Sequence, residues 1–400
     1  LTFTYTGDKL TSVSDSEGRS VSYEYDGQDN LTSFTDPEGK VWRYGYDQFH
    51  RMTSLEDPLG ITTAANVYDN EDRVMTQTVP RQGGGTGTYN FYFSGFRNVE
   101  GDPYGRQMIY HLDEVGRTTG RENELGFRTI TYFDGQNHET WVYDPRGNRT
   151  TFLYNGDHNI TRVRNAYSQD TLFRYDPELR LKETEDPLHH ITYFDYDSEH
   201  HLTQITNAEN NRQASTYYAN GQVEHAVDGR NTATTFSYDT FGHPGSTRVA
   251  LHPPVQFEFD PIGRLRDLTD NENARTLFDY NNRDLPLRIT DPLLKETVYT
   301  YDDAGRLLTR KDRNNNTTSY SYTPTGKIDT VTYPDLSTVH FTYNLHDQLT
   351  DMTDSLGNTH FERDALYRVT AVTDPHGFMV SYDYDEAGNV TEITYPGNKE

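Results

Sequence analysis

Two pairs of histidines, His189 with His190 and His200 with His201, have the residue type and spacing to hold a zinc ion, because neutral imidazole is a common ligand of that metal. Metal binding requires the four rings to converge. The repeat described below instead sets His189 and His200 at corners on opposite edges of a ribbon, ~20 Å apart along a strand. They are read as corner residues. The run Gly83, Gly84, Gly85 and Gly87 has the glycine content of a phosphate-cradling loop. No Gly-Lys-Ser or Gly-Lys-Thr follows it and no helical period begins there, so it is read as an irregular insertion near 80–105. The many aspartates offer carboxylate pairs for acid–base work or a calcium loop. Their fixed offsets from an aromatic residue mark them as turn caps, and no Asp-x-Asp-x-Asp-Gly loop occurs. Neither a Gly-x-Ser-x-Gly elbow nor a His-Glu-x-x-His pair is present. The expectation is therefore no catalytic, cofactor-binding or metal-binding residue, and no enzyme. Sequons at Asn30, Asn148, Asn159, Asn315, Asn316 and Asn389 would matter only in a eukaryotic secretory pathway.

The elements that position these residues emerge when the chain is aligned on an aromatic followed by Asp or Asn. Tyr25, Tyr46, Tyr68, Phe133, Tyr154, Tyr175, Tyr196, Tyr238, Phe259, Tyr280, Tyr301, Tyr343 and Tyr384 fall into one register, mostly 21 residues apart. Degenerate copies at Tyr5, Phe91, Leu112, Tyr217, Tyr322 and Arg363 fill the gaps and bring the count to about nineteen over residues 1–400. With the aromatic as position 0, a turn signal Asp-x-x-Gly follows at once, and a second one, often Asp-Pro-x-Gly, comes ten residues later. The pattern is carried by Tyr25–Asp26, Tyr46–Asp47, Asp57 to Gly60, Tyr196–Asp197, Tyr238–Asp239 to Gly242, Phe259–Asp260 to Gly263–Arg264, Tyr301–Asp302 to Gly305–Arg306 and Tyr384–Asp385 to Gly388. Asp first, Pro permitted second and a left-handed residue fourth is the signature of a type I turn closed by a bulge in a hairpin.

Positive φ is tolerated best by Gly and then by Asn, Asp and His. In the first turn the fourth position is held by Asp29, His50, Asp72, Asn137, His158, His200, Asp284 and Asp347, and in the second by His189, Asn210, Asn231, His252, Asn273 and Asn315. Leu179, Leu294, Leu336 and Tyr367 fall outside the set, and their turns are expected to differ. Between turns run strands of about six and seven residues rich in Tyr, Phe, Thr, Val and Ser. Rings at positions −2 and 0, such as Tyr299/Tyr301, leave one face, and apolar residues at +6 and +9, such as Val390/Ile393, break strict alternation and call for a bulge or a strong twist. The fold class is all-β: tandem 21-residue hairpins in one long antiparallel sheet. At ~4.8 Å per strand nineteen hairpins would run ~180 Å, and open sheets curl beyond ~10 strands. Wrapped into a ring, that contour is ~60 Å across, hollow and wet.

Composition agrees with a thin sheet. Residues of the AVILMFWYC class make up 32%, with 31 Tyr and 19 Phe, so the deficit falls on aliphatic residues. A net charge of −26 disfavours nucleic acid and anionic membrane surfaces, and no stretch reaches the ~18 apolar residues that span a bilayer. The absence of cysteine excludes disulfides and thiolate metal sites. Leu1 is not a start methionine and opens part-way through a repeat, so the chain is expected to be a piece of a longer protein, and the lack of a targeting signal in it says little.

The unit Tyr301-Asp302-x-x-Gly305-Arg306-Leu307, repeated as Phe259-Asp260-x-x-Gly263-Arg264-Leu265, resembles the Rhs/YD-repeat family over essentially the whole chain. That family includes the encapsulating components of bacterial insecticidal toxin complexes, Rhs polymorphic toxins delivered by type VI secretion, and the animal teneurins. The resemblance implies a spiralling β-sheet shell and a non-catalytic scaffold that holds a C-terminal toxin domain of the same polypeptide. Its implied partners are that cargo and the secretion machine, and its implied location is the cytoplasm before export and then outside the cell. The Rhs-associated core, with its self-cleavage aspartates, is not seen in this sequence. The alternative is an adhesion or carbohydrate-binding module, which would bind a glycan or a cell-surface protein through exposed rings.

Overall fold

A computed structural model describes residues 1–81 and 84–397, so Gly83 and Glu400 lie outside the described residues. Thirty-eight strands follow one another with no helix among the described residues. They fall into two compact units, Leu1–Phe127 with Leu277–Glu400, and Arg128–Thr276. Within each unit, every described pairing is antiparallel and joins strands consecutive in the chain, as in Glu296–Tyr301 with Leu307–Lys311 and Ile160–Arg164 with Asp170–Tyr175.

The repeat builds a hairpin because each corner closes itself. In the corner Asp302 to Arg306, the Gly305 N–H donates to the Asp302 carbonyl at 3.0 Å and the Asp302 N–H donates to the Arg306 carbonyl at 2.9 Å. Gly60, Gly242, Gly263, Gly305 and Gly388 sit at φ between 77° and 89°, where a side chain is strained. Of the bulge or strong twist that the three-residue spacing called for, the bulge is present: Thr300 opposes Thr309 while Tyr301 opposes Leu307, so Leu308 is the extra residue. The same skip follows Glu24/Ser33, Asp195/Gln204 and Asp383/Glu392.

Three expectations are corrected. Leu179, Leu294, Leu336 and Tyr367 make the same corner as glycine, at φ of 65°, 60°, 68° and 66°, each with its N–H donating to the first turn residue. The paired strands on either side fix the corner, and the side chain absorbs ~1–2 kcal/mol of left-handed strain. His252 is not left-handed; the strand Pro244–Val249 ends so that Ala250 takes the positive φ, at 49°, and the His252 N–H bonds to Val249. The copy anchored on Phe91 turns later than its register demands, because Thr86–Ser94 pairs with Arg97–Gly101 through a two-residue loop with Gly95 at φ 54°. Thr6 with Lys9 and Asp354 with Gly357 close hairpins of the same tight kind.

The sheet is thin. Among the described residues only Val331 and Ala371 are buried hydrophobics. The accessible surface of 24300 Å² is far above the ~16,000 Å² of a compact monomer of this mass.

Candidate functional site

The ladders inside and between hairpins differ in length, and this difference creates the site. Within the hairpin Glu296–Tyr301/Leu307–Lys311 four pairs form, whereas Leu307–Lys311 meets the next strand, Thr317–Tyr322, through three, from Thr309/Ser319 to Lys311/Thr317. On that side the start of the short strand is left without a ladder partner. The Tyr322 hydroxyl fills this gap by donating to the Leu307 carbonyl at 2.7 Å. The same bond runs from Tyr25 to Leu10, Tyr175 to Ile160, Tyr196 to Leu181, Tyr301 to Pro286 and Tyr384 to Val369. The repeated tyrosine is therefore an inter-hairpin clamp. The sequence contains its position but not its partner.

A charged spine runs along the same edge. Asp302 Oδ1 accepts the Ala304 and Arg306 N–H groups at 3.0 and 2.9 Å, and Oδ2 accepts Arg306 Nε at 2.7 Å. Held in this way, the Arg306 guanidinium lies 4.6 Å from the Tyr322 ring centroid and donates to the Thr323 carbonyl at 3.4 Å. Arg51 over Tyr68, Arg180 over Tyr196 and Arg368 over Tyr384 repeat the arrangement at 4.8, 4.8 and 4.5 Å. Histidine substitutes for arginine at His138, His201 and His243, whose rings stack on Tyr154, Tyr217 and Phe259 at 4.3, 4.6 and 4.9 Å. A residue five places after the aromatic thus joins its own corner to the next repeat, a role that the turn signature alone does not reveal.

The electrostatics follow from these bonds. The His138 backbone N–H, and then its ring, hold the Asp134 carboxyl down at about 2. The side chain of Asn30, and then its backbone N–H, lower the Asp26 carboxyl. The histidine pairs do not converge: His189 bonds Glu185 at 2.7 Å, His190 bonds Asp186 at 3.0 Å, His200 meets Arg180 at 3.0 Å and His201 bonds Asp197 at 3.1 Å. Among the described residues no group of three or more His, Cys, Asp or Glu is arranged to hold a metal ion.

Within the larger unit, corners far apart in the chain meet along a seam. Arg19 Nη1 lies 2.5 Å from Asp284 Oδ1, Arg283 Nε 2.5 Å from Asp36 Oδ2 and Lys40 Nζ 2.5 Å from Asp303 Oδ1, while the Asn282 N–H donates to Glu38 at 2.7 Å. Further along, the Tyr104 hydroxyl accepts the Leu345 N–H at 2.9 Å, the Tyr367 hydroxyl donates to Asp102, and His346 Nε2 lies 3.1 Å from the same carboxylate. Asp102 also caps its own corner, taking the Tyr104 and Arg106 N–H groups at 2.8 and 3.0 Å. Both its oxygens are engaged, and the Asp102–His346–Tyr367 group ties the two corners together as a latch. Burial lowers the His346 pKa, with Asp102 opposing it, and burial together with Asp102 raises Tyr367 well above the usual phenol range. A cleft of about 310 Å³ lies beside the latch, lined by Tyr89, Glu100, Asp102, Arg106, His346 and Tyr367.

Comparison with known proteins gives matches at both ends. Residues 5–35 and 25–63 match the RHS Repeat model, and residues 293–400 match the Teneurin YD-shell model. No curated protein matches. Among solved structures, the crystal structure of TcdB2-TccC3-TEV aligns at TM-score 0.78 and 15% identity over 95% of this chain and 26% of the other. The crystal structure of TcdB2-TccC3 without its hypervariable C-terminal region aligns at TM-score 0.75 and 15% identity over 98% and 25%. The Tc holotoxin pore of Photorhabdus luminescens aligns at TM-score 0.74 and 15% identity over 98% and 25%. The chain therefore shares their fold and spans about a quarter of the length of the chains it matches.

Proposed function

Because the chain belongs to the Rhs/YD-repeat family, we propose that it is a non-catalytic segment of a β-shell wall that encloses a C-terminal toxin domain in a secreted bacterial effector. The observation that carries this reading is the seam. A wall must seal the edges of its ribbon, and corners 263 to 265 residues apart are joined at Lys40/Asp303, Arg19/Asp284 and Asp102/Tyr367. The thin sheet supports the same reading, since a shell needs surface on two sides and little dry core. The hypervariable C-terminal region named for the TcdB2-TccC3 structure supplies the analogue of the cargo. Its proposed partners are that cargo domain and the export machinery, with folding in the cytoplasm and delivery outside the cell.

The test is limited proteolysis of the full-length product of the gene. The wall protects the C-terminal domain until acid or denaturant opens it. A C-terminal domain cut at the same rate with and without the wall removes the proposal.

A further inference from the structure

One repeat carries an aromatic pair on the face opposite the clamp tyrosines. Positions −1 and +8 face each other there, and in most repeats the pair is polar: Glu24/Ser33, Asp195/Gln204, Thr300/Thr309, Thr342/Asp351. In the smaller unit the pair is Tyr132/Trp141, and Tyr143 joins it at position +10, where Thr35, Glu185 and Thr206 stand elsewhere. The three rings form one cluster. Tyr132 lies 5.7 Å from Trp141 at 63° and 6.0 Å from Tyr143 at 71°. Tyr132 remains 47% and Trp141 42% exposed, so these rings do not serve a core. A scaffold whose face is polar in most repeats gains nothing in folding from placing large rings in water.

The charge beside the cluster indicates its ligand. Arg149, also exposed, lies 5.9 Å from the Trp141 ring centroid and has no carboxylate partner among the described residues. Its neighbours on the same face are paired, Arg164 with Asp170 at 2.7 Å and Arg174 with Glu183 and Glu185 at 2.6 and 2.8 Å. In a chain of net charge −26, an exposed guanidinium without an acid beside a tryptophan is a departure of the same kind as the rings. Thr151, opposite Trp141 on the next strand, adds a hydroxyl to the patch.

We propose that Tyr132, Trp141, Tyr143 and Arg149 form a binding platform for a carboxylated saccharide. The C–H face of a sugar ring stacks on the indole, and the sugar carboxylate takes the outward N–H groups of Arg149. Flat rings on a rigid sheet lose little side-chain freedom on binding, which suits a shallow, open platform.

The test titrates the chain with an oligosaccharide of alternating glucuronate and N-acetylglucosamine, and separately with its carboxyl-reduced neutral form, by calorimetry. The glucuronate oligomer binds, and Trp141→Ala weakens it about tenfold or more. Arg149→Gln abolishes the preference over the neutral form. The double variant Tyr132→Glu with Trp141→Ser installs the pair that already folds at Glu24/Ser33, so it retains the melting temperature and loses binding. Absence of binding at millimolar oligomer, equal binding of both forms, or binding that survives the double variant overturns the proposal. Capture of the protein's own C-terminal domain by this patch, with neither saccharide bound, also overturns it.

Discussion

Replacing Asp302 by alanine strips one corner of its cap and should weaken two repeats. Three bonds are lost: those from the Ala304 and Arg306 N–H groups at 3.0 and 2.9 Å, and that from Arg306 Nε at 2.7 Å. Each backbone bond to the carboxylate contributes ~1 kcal/mol net at a corner still near water, the low end for a charged acceptor, and the ion pair adds ~0.5–1 kcal/mol. The expected loss is ~2–3 kcal/mol, within the range of a lost helix cap or slightly above it. Asp302→Asn keeps an acceptor for the two N–H groups and should cost ~1 kcal/mol. Hydrogen exchange of the amides of residues 302–307 measures both. Because Arg306 is no longer steered over Tyr322, exchange should also rise at residue 323 and along Thr317–Tyr322 in the next repeat. An alanine variant within ~0.5 kcal/mol of the parent, or an effect confined to its own corner, would refute the spine as the link between repeats.

Further outcomes follow from the same geometry. Leu336→Gly relieves a corner at φ 68° whose side chain is 81% exposed, so it should raise the urea midpoint by an amount equivalent to ~1 kcal/mol, and a lower midpoint contradicts the account. Tyr322→Phe removes the 2.7 Å bond to Leu307 and should cost ~1 kcal/mol in chemical denaturation, whereas Tyr132→Phe, on the opposite and exposed face, should cost almost nothing. Asp134 and Asp351 are held at about 2, so the unfolded chain binds protons more readily than the folded one. Their contribution is therefore complete above the ordinary value of 3.8 and fades as pH falls towards about 2, which a melting series across that window reads. The His346 pKa is depressed, so the neutral ring is favoured in the latch and the seam weakens as pH falls below the ordinary value of 6.5. Protease sensitivity of the Asp102–Arg106 corner should rise in that range, and Tyr367→Phe should bring the rise to higher pH.

What the sequence made legible depended on how local each cause was. The corners at Gly242, Gly305 and Asn273 could be read because their backbone conformation restricts residue choice, and the apolar spacing of three marked an irregularity in the short strand without deciding between a bulge and a twist. Leu294 and Tyr367 showed the limit, since strand pairing imposes the corner on residues that local preference disfavours. The partner of the clamp tyrosine lies 15 residues upstream, outside any strand or turn pattern, and became visible only with the splayed ladder between hairpins. The seam had no signal at all. Arg283 and Asp36 are ordinary members of the repeat, and only the return of the ribbon upon itself makes them partners.

These repeats are proposed to form a wall around a separate domain. Electron cryomicroscopy of the full-length protein tests it most directly. The account predicts a continuous wall of hairpins joined through their corners, with density for the C-terminal domain on its enclosed side. An uninterrupted wall with an empty or side-chain-filled interior, and the C-terminal domain outside it, would contradict the account.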